Sequence, residues 1–162
     1  MPPRTIIRLD KESFLFSSGH FTLFSATERE NIHGHNYRVT LAFETDVKAD
    51  GMAFNYNLPK EFFDGLCEKL NEHFLLPGRS PYLRVEEGGD YIYAHFNGEK
   101  IPFLPRDVIV LPLANISLEE LSRYFLEAFL AEFRDRQKHP IYYAEVTASS
   151  APGQSAAAVW RA

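Results

Sequence analysis

The chain of 162 residues has the composition of a folded protein, with 45% hydrophobic, 14% aromatic and 24% charged residues. Its formal net charge of -5 argues against a broad basic surface for DNA or RNA. No apolar run approaches the ~20 residues that a membrane-spanning helix needs. We therefore expect a single domain over residues 1–162 that binds neither nucleic acid nor membrane. One cysteine, Cys67, and the lack of a secretory signal favour a cytoplasmic location.

The first predicted elements in the chain are two strands. SFLFSSGHFTLF, over residues 13–24, places Phe14 and Phe16 on one face and is interrupted near Gly19. NYRVTLAFET, over residues 36–45, alternates apolar and polar side chains. This alternation is typical of a half-buried strand and is the clearest in the chain.

Two helices are predicted further along. Apolar residues recur at three- and four-residue steps after Pro59, which predicts a helix from about Leu58 to Glu72. Ser117 and Glu120 form a capping-box pattern ahead of a second apolar stripe. This second helix is predicted to run from Ser117 to about Lys138.

The remaining segments predict a small hairpin or an irregular excursion, followed by a closing hairpin. Residues 77–105 contain short aromatic runs between glycines and prolines, and IYYAEVTAS and QSAAAVW flank the turn APG near the C-terminus. The order of elements predicts an α+β fold, an antiparallel four-stranded sheet with two helices on one face. Such a sheet leaves open edges, so we expect a ring-forming oligomer in which strands pair between subunits.

Three histidines are candidates for a metal site. His33 and His35 alternate on the approach to a strand, so both imidazoles project to the same side, about 6.6 Å apart. Antiparallel pairing with the preceding strand would add a nitrogen from His20. Three protein ligands with an open fourth position are the arrangement of catalytic zinc. For a bare pair of histidines, a polar strand start is the competing interpretation.

Several motifs occur in one order: FSSGHF, ENIHGHNYRVTL, DGMAFNYNL, LNEHFLLP, NISLEEL and APGQSA. From about Phe14 to Val159 the chain resembles the 6-pyruvoyl-tetrahydropterin synthase family, which includes the bacterial 6-carboxy-tetrahydropterin synthases. The resemblance implies Zn²⁺ bound by His20, His33 and His35. It also implies the tunnelling fold, and trimeric or hexameric rings with active sites between subunits.

The resemblance implies an altered set of catalytic groups. In the family a cysteine shortly before HGH acts as general base, but Thr27 and Arg29 stand at its place here. Glu30 matches a subgroup in which a glutamate takes over this proton chemistry. A solvated loop charge is the competing interpretation of Glu30. His73 matches the catalytic histidine, with Glu72 in place of the aspartate, and an exposed histidine at a helix end is its alternative.

The pocket for the pterin ring also departs from the family. A glutamate that normally holds the ring is replaced by Ser150, whose hydroxyl cannot reproduce two charge-assisted bonds. Ser117 replaces a threonine that helps bind the ring, and helix capping is its alternative role.

The resemblance implies a zinc-dependent lyase that acts on 7,8-dihydroneopterin triphosphate or a related pterin. The reaction would be side-chain cleavage or triphosphate elimination, in folate, tetrahydropterin or queuosine-precursor biosynthesis. The glutamate subgroup cleaves the side chain to 6-hydroxymethyl-dihydropterin. The alternative, supported mainly by Ser150, is a zinc-containing family member that binds a different ligand and has lost the pterin reaction.

Overall fold

A computed structural model describes residues 1–162 and contains two α-helices and ten strands. Helix α1 spans Asn57–Leu70, and α2 spans Leu118–Phe129 and continues as a π-helical segment over Leu130–Arg136. The strands are β1 (Arg4–Leu9), β2 (Leu15–His20), β3 (His33–Asp46), β4 (His73–Pro77), β5 (Arg84–Glu86), β6 (Ile92–Phe96), β7 (Glu99–Phe103), β8 (Val108–Leu111), β9 (Ile141–Ala151) and β10 (Gln154–Arg161).

The main sheet confirms the α+β class and corrects the number of strands. The four predicted strands are β2, β3, β9 and β10, and they form a continuous antiparallel block. The sheet has seven strands, in the order β10-β9-β3-β2-β4-β8, with β1 also pairing with β3. Strands β4 and β8 join in parallel. Their sequences are short apolar runs without alternation, which is typical of strands buried on both faces.

The core lies between the two helices and one face of this sheet. It contains 25 buried residues, most of them from α1, α2 and the alternating positions of β2, β3 and β9. Phe16 stacks on Tyr37 and Phe125, with ring centroids 5.1 and 5.9 Å apart, so β2, β3 and α2 meet at one point. Cys67 is buried in this cluster, and burial raises the pKa of its thiol to about 12. Neither α1 nor α2 has the length and hydropathy of a membrane-spanning helix.

Helix α1 ends at Leu70, two residues before the predicted end at Glu72. The backbone of Glu72 has a φ of 59°, a left-handed conformation that cannot continue a right-handed helix. The Glu72 N–H instead donates to the Ser17 carbonyl at 2.7 Å, which directs the chain into β4.

The segment between residues 77 and 105 contains a small sheet of three strands, β5-β6-β7, where the sequence predicts a small hairpin or an irregular excursion. Asn97 and Gly98 join β6 to β7 with φ values of 45° and 78°, as a two-residue hairpin turn requires. A second cluster of seven buried residues, including Phe21 and Phe96, packs this small sheet against the main one. The small sheet therefore lies next to the chain that follows β2.

Candidate functional site

Strand pairing brings the three histidines together. His20 lies directly opposite His33 in the antiparallel β2–β3 pair, and His35 is two residues further along the same face. The Nε2 atom of His33 lies 3.2 Å from that of His20 and 3.0 Å from that of His35. Zinc–nitrogen bonds of 2.0–2.1 Å in a tetrahedron would separate the nitrogens by about 3.3 Å, so the three imidazoles fit one zinc ion.

Backbone carbonyl groups orient two of these imidazoles. Nδ1 of His20 lies 2.9 Å from the Ile116 oxygen, and Nδ1 of His33 lies 2.8 Å from the Asn31 oxygen. Because a carbonyl oxygen can only accept, each Nδ1 carries the proton and each Nε2 keeps its lone pair. Burial lowers the pKa of His20 and of His35, which favours the neutral form that binds metals.

Glu30 is fixed beside this cluster by a short antiparallel contact with Thr22. The Glu30 N–H donates to the Thr22 carbonyl at 2.9 Å, and the Thr22 N–H donates to Glu30 Oε2 at 3.2 Å. The same Oε2 atom lies 3.5 Å from Nε2 of His33. A carboxylate oxygen thus lies 3.5 Å from one nitrogen of the cluster.

A cavity of about 280 Å³ opens beside the cluster. The twelve lining residues are His20, Thr22, Glu30, His35, Tyr37, Ser117, Leu118, Glu119, Ser150, Gln154, Ser155 and Ala156. Five of them are predicted site residues. The sequence reasoning missed the others, although Glu119 lies in NISLEEL and Gln154 and Ser155 lie in APGQSA.

The two predicted substrate-binding serines both line the cavity, in different structural settings. The Ser117 hydroxyl accepts from the Glu120 N–H at 3.3 Å and caps α2. Ser150 follows buried Ala148 at the next position of the same β9 face. Glu119, in the first turn of α2, adds a second carboxylate to the cavity besides Glu30.

His73 and Glu72 are not among the residues that line the cavity. His73 begins β4 in register with Ser18, and its Nδ1 lies 2.8 Å from the Asn71 oxygen. Glu72 lies in the left-handed turn ahead of it. A single chain therefore joins His20, His33, His35 and Glu30 in one site and leaves this pair outside the cavity.

Comparison with known proteins gives consistent matches. A family model described as 6-pyruvoyl tetrahydropterin synthase matches residues 9–159. A protein of Pyrococcus abyssi, provisionally named 6-carboxy-5,6,7,8-tetrahydropterin synthase, is 30% identical over 85% of this chain and 88% of its own. A protein of Methanocaldococcus jannaschii with the same provisional name is 24% identical, over 87% and 86%.

Solved structures match over nearly the whole chain. The 6-pyruvoyl tetrahydropterin synthase of Plasmodium falciparum has a TM-score of 0.89 and 30% identity, covering 98% of this chain and 99% of its own. That of Plasmodium vivax has a TM-score of 0.89 and 28% identity, covering 99% of both. Two further P. vivax structures carry alanine or cysteine in place of a glutamate described as a catalytic residue.

Proposed function

Because the chain belongs to the 6-pyruvoyl tetrahydropterin synthase family, whose members are lyases, we propose that it is a zinc-dependent lyase acting on 7,8-dihydroneopterin triphosphate or a related pterin. The observation that carries this proposal is the convergence of three imidazole nitrogens with a carboxylate 3.5 Å from one of them. Three nitrogen ligands leave one tetrahedral position for a substrate oxygen.

His20, His33 and His35 would hold the zinc ion. When bound, zinc supplies Lewis acidity toward a hydroxyl or carbonyl oxygen of the substrate side chain. The backbone carbonyls that accept from His20 and His33 keep both rings aimed at one point. Acceptors of this kind fix the tautomer of each ring and raise the basicity of the nitrogen that binds the metal.

Glu30 is the proposed general acid/base. Its Oε2 atom accepts from the Thr22 N–H and lies 3.5 Å from Nε2 of His33. These contacts support a role in which Glu30 takes a proton from a substrate hydroxyl and returns it to carbon. The catalytic glutamate of the P. vivax relative supports this role for a glutamate. Thr27, at the place of the usual cysteine, cannot serve as a thiolate base.

His73 and Glu72 are the proposed second proton-transfer pair. Neither residue lines the cavity of its own chain, so we infer that a neighbouring copy of the chain brings them to it. The cavity is lined by Gln154, Ser155 and Ala156 of β10, an edge strand of the main sheet that is free to pair with another chain. A trimeric or hexameric ring would place subunit boundaries at such edges.

Glu119 and the two serines are the proposed contacts of the pterin ring. A pterin presents an adjacent N–H and amino group that a carboxylate accepts with two charge-assisted bonds. Ser150 offers only a hydroxyl, whereas the Glu119 side chain is exposed at the cavity while its neighbour Glu120 is paired with Arg123. We infer that the Glu119 carboxylate accepts hydrogen bonds from the N–H and amino groups of the pterin ring. Ser117 and Ser150 would supply weaker hydrogen bonds.

A turnover assay tests the proposal. Zinc-loaded wild-type protein is incubated with 7,8-dihydroneopterin triphosphate, and the products are separated and identified by mass. We expect 6-hydroxymethyl-dihydropterin, and Glu30→Gln should lower kcat by about 10²–10⁴-fold because the acid/base is lost. Glu28→Gln, in the same loop but outside the cavity, is the matched control and should keep wild-type kcat.

The same assay tests Glu119. Glu119→Gln should raise KM with little change in kcat, since a contact made equally in ground and transition states affects binding alone. Adding Ser150→Glu to the Glu119→Gln variant should restore part of the lost affinity for the pterin. An unchanged KM in Glu119→Gln would remove Glu119 from the ring contacts.

Ser150 also favours a second candidate function, a zinc-containing family member that binds a different ligand. If zinc-loaded wild-type protein neither turns over nor binds the pterin, the lyase proposal fails and this second function stands. Native mass spectrometry of the purified protein would then identify the ligand by its mass.

A further inference from the structure

Arg29 connects the Glu30 loop to the small three-stranded sheet. Its Nη1 atom donates to the Glu30 carbonyl oxygen at 2.8 Å, and its Nη2 atom donates to Glu99 Oε2 at the start of β7 at 2.9 Å. Only 18% of the Arg29 side chain is exposed. One guanidinium thus joins two segments that are 70 residues apart in the sequence.

Two aromatic rings fix the orientation of this guanidinium. Its central carbon lies 4.9 Å from the ring centroid of Phe21 and 5.7 Å from that of Phe96 on β6. Both rings belong to the buried cluster beneath the small sheet. A planar, delocalised cation suits this arrangement because it can stack and donate in two directions at once, which a lysine ammonium cannot do.

Arg29 bonds to the backbone of Glu30 and not to its carboxylate. The Glu30 Oε2 atom has the Thr22 N–H and His33 as neighbours, and Arg29 donates to the main-chain oxygen. The contact therefore fixes the main chain from which the Glu30 side chain extends.

We propose that Arg29 is a positioning residue that anchors the loop of the acid/base Glu30 to the β6–β7 hairpin. The proposal rests on the function proposed above for Glu30. The backbone bonds of the neighbouring loop, from the Phe24 and Ser25 N–H groups to the Glu28 carbonyl, are internal to that loop. They stabilise its shape, whereas Arg29 ties it to the hairpin.

Loss of this anchor should lower kcat and leave KM unchanged. A displacement of about 1 Å in a catalytic group can cost about 10²-fold in rate. We expect Arg29→Gln to lower kcat by about 10–100-fold while KM and zinc content stay within about twofold of wild type. Arg29→Lys should not rescue kcat. Glu99→Gln should lower kcat by a smaller factor. The double variant Arg29→Gln, Glu99→Gln should be no slower than Arg29→Gln alone, because both changes remove the same interaction.

Amide hydrogen exchange supplies a readout independent of turnover. The N–H groups of Thr22 and Glu30, which bond to each other's residue, should exchange faster in Arg29→Gln than in wild type, while amides in the centre of β3 should be unchanged. The matched control is Arg134→Gln, which removes an arginine that also stacks on an aromatic ring, Trp160 at 4.6 Å, and pairs with Asp135. It should keep wild-type kcat and wild-type exchange at Glu30.

Three results would contradict the proposal that Arg29 anchors this loop. They are wild-type kcat in Arg29→Gln, unchanged exchange at the Glu30 N–H, and exchange that rises equally throughout the main sheet, which would indicate general destabilisation. If wild-type protein has no pterin turnover, the proposed function fails by itself. The exchange at Thr22 and Glu30 then still decides whether Arg29 holds this loop.

Discussion

At the scale of single residues, backbone groups orient the side chains of the proposed site. Carbonyl oxygens of Ile116 and Asn31 fix His20 and His33, and the Thr22 N–H fixes Glu30. Backbone partners are present whatever side chains Ile116, Asn31 and Thr22 carry. The geometry of the site therefore depends on the pairing of β2 with β3 and on the loops beside it.

His139, which does not line the cavity beside the histidine cluster, packs as an aromatic ring. His139 stacks on Phe54 with ring centroids 3.9 Å apart and an interplanar angle of 9°. Burial lowers the pKa of His139, and the positive charge of Lys48 lowers it further. The ring also lines a second cavity of about 240 Å³ together with Asp46 and Lys48. The folded protein thus favours the neutral imidazole.

We expect this histidine to make stability depend on pH. Its pKa is lower in the folded state than the ordinary 6.5, so the unfolded chain binds the proton first. The contribution of neutral His139 is complete above pH 6.5 and is lost as the pH falls through the lowered pKa. His139→Phe keeps the stacked ring and removes the titration. The free energy of unfolding should therefore fall more in wild type than in His139→Phe between about pH 7 and pH 5. Parallel pH curves of the two proteins would contradict this.

At the scale of elements, the N-terminus of α2 both stabilises the helix and lines the cavity. Ser117 caps the helix, and the next two residues, Leu118 and Glu119, line the cavity. The first turn of α2 is therefore placed by its cap. Phe125 and Phe129, further along the same helix, are fully buried against the sheet and fix the rest of its position.

Replacing the cap separates the two roles of Ser117. Ser117→Ala should lower the free energy of unfolding by about 1 kcal/mol, because the Glu120 N–H loses its acceptor. Ser117→Asp retains an acceptor and should keep most of the stability. Urea denaturation measures both. If Ser117→Ala were as stable as wild type, the hydroxyl would not act as a helix cap, and ring binding would be its remaining proposed role.

The sequence predicts those elements whose two faces differ in environment. Strands β2, β3, β9 and β10 alternate because one face meets the helices, so their existence and the convergence of His20, His33 and His35 follow from a period of two. Strands β4 and β8 are short and buried on both faces, and no alternation marks them. The contacts of Arg29 and the place of Glu119 depend on packing between distant segments, which local patterns do not encode.

At the scale of the whole molecule, the main sheet has open edges and the cavity lies at one of them. Strand β10 forms that edge, and β1 pairs with β3 alone. Pairing of such edges between copies would satisfy their free backbone groups and complete the cavity with residues of a neighbour. The expected trimer or hexamer would have three or six times the chain mass of 18.6 kDa.

The central claim is that the three imidazoles form a metal centre, and metal content per chain tests it most directly. Protein loaded with Zn²⁺ and then dialysed exhaustively should retain one zinc per chain in wild type. His33→Ala, which removes the imidazole whose Nε2 lies between the other two, should retain almost none while keeping its fold by circular dichroism. A His33→Ala protein that still holds one zinc per chain, or a wild type that holds none, would contradict the account.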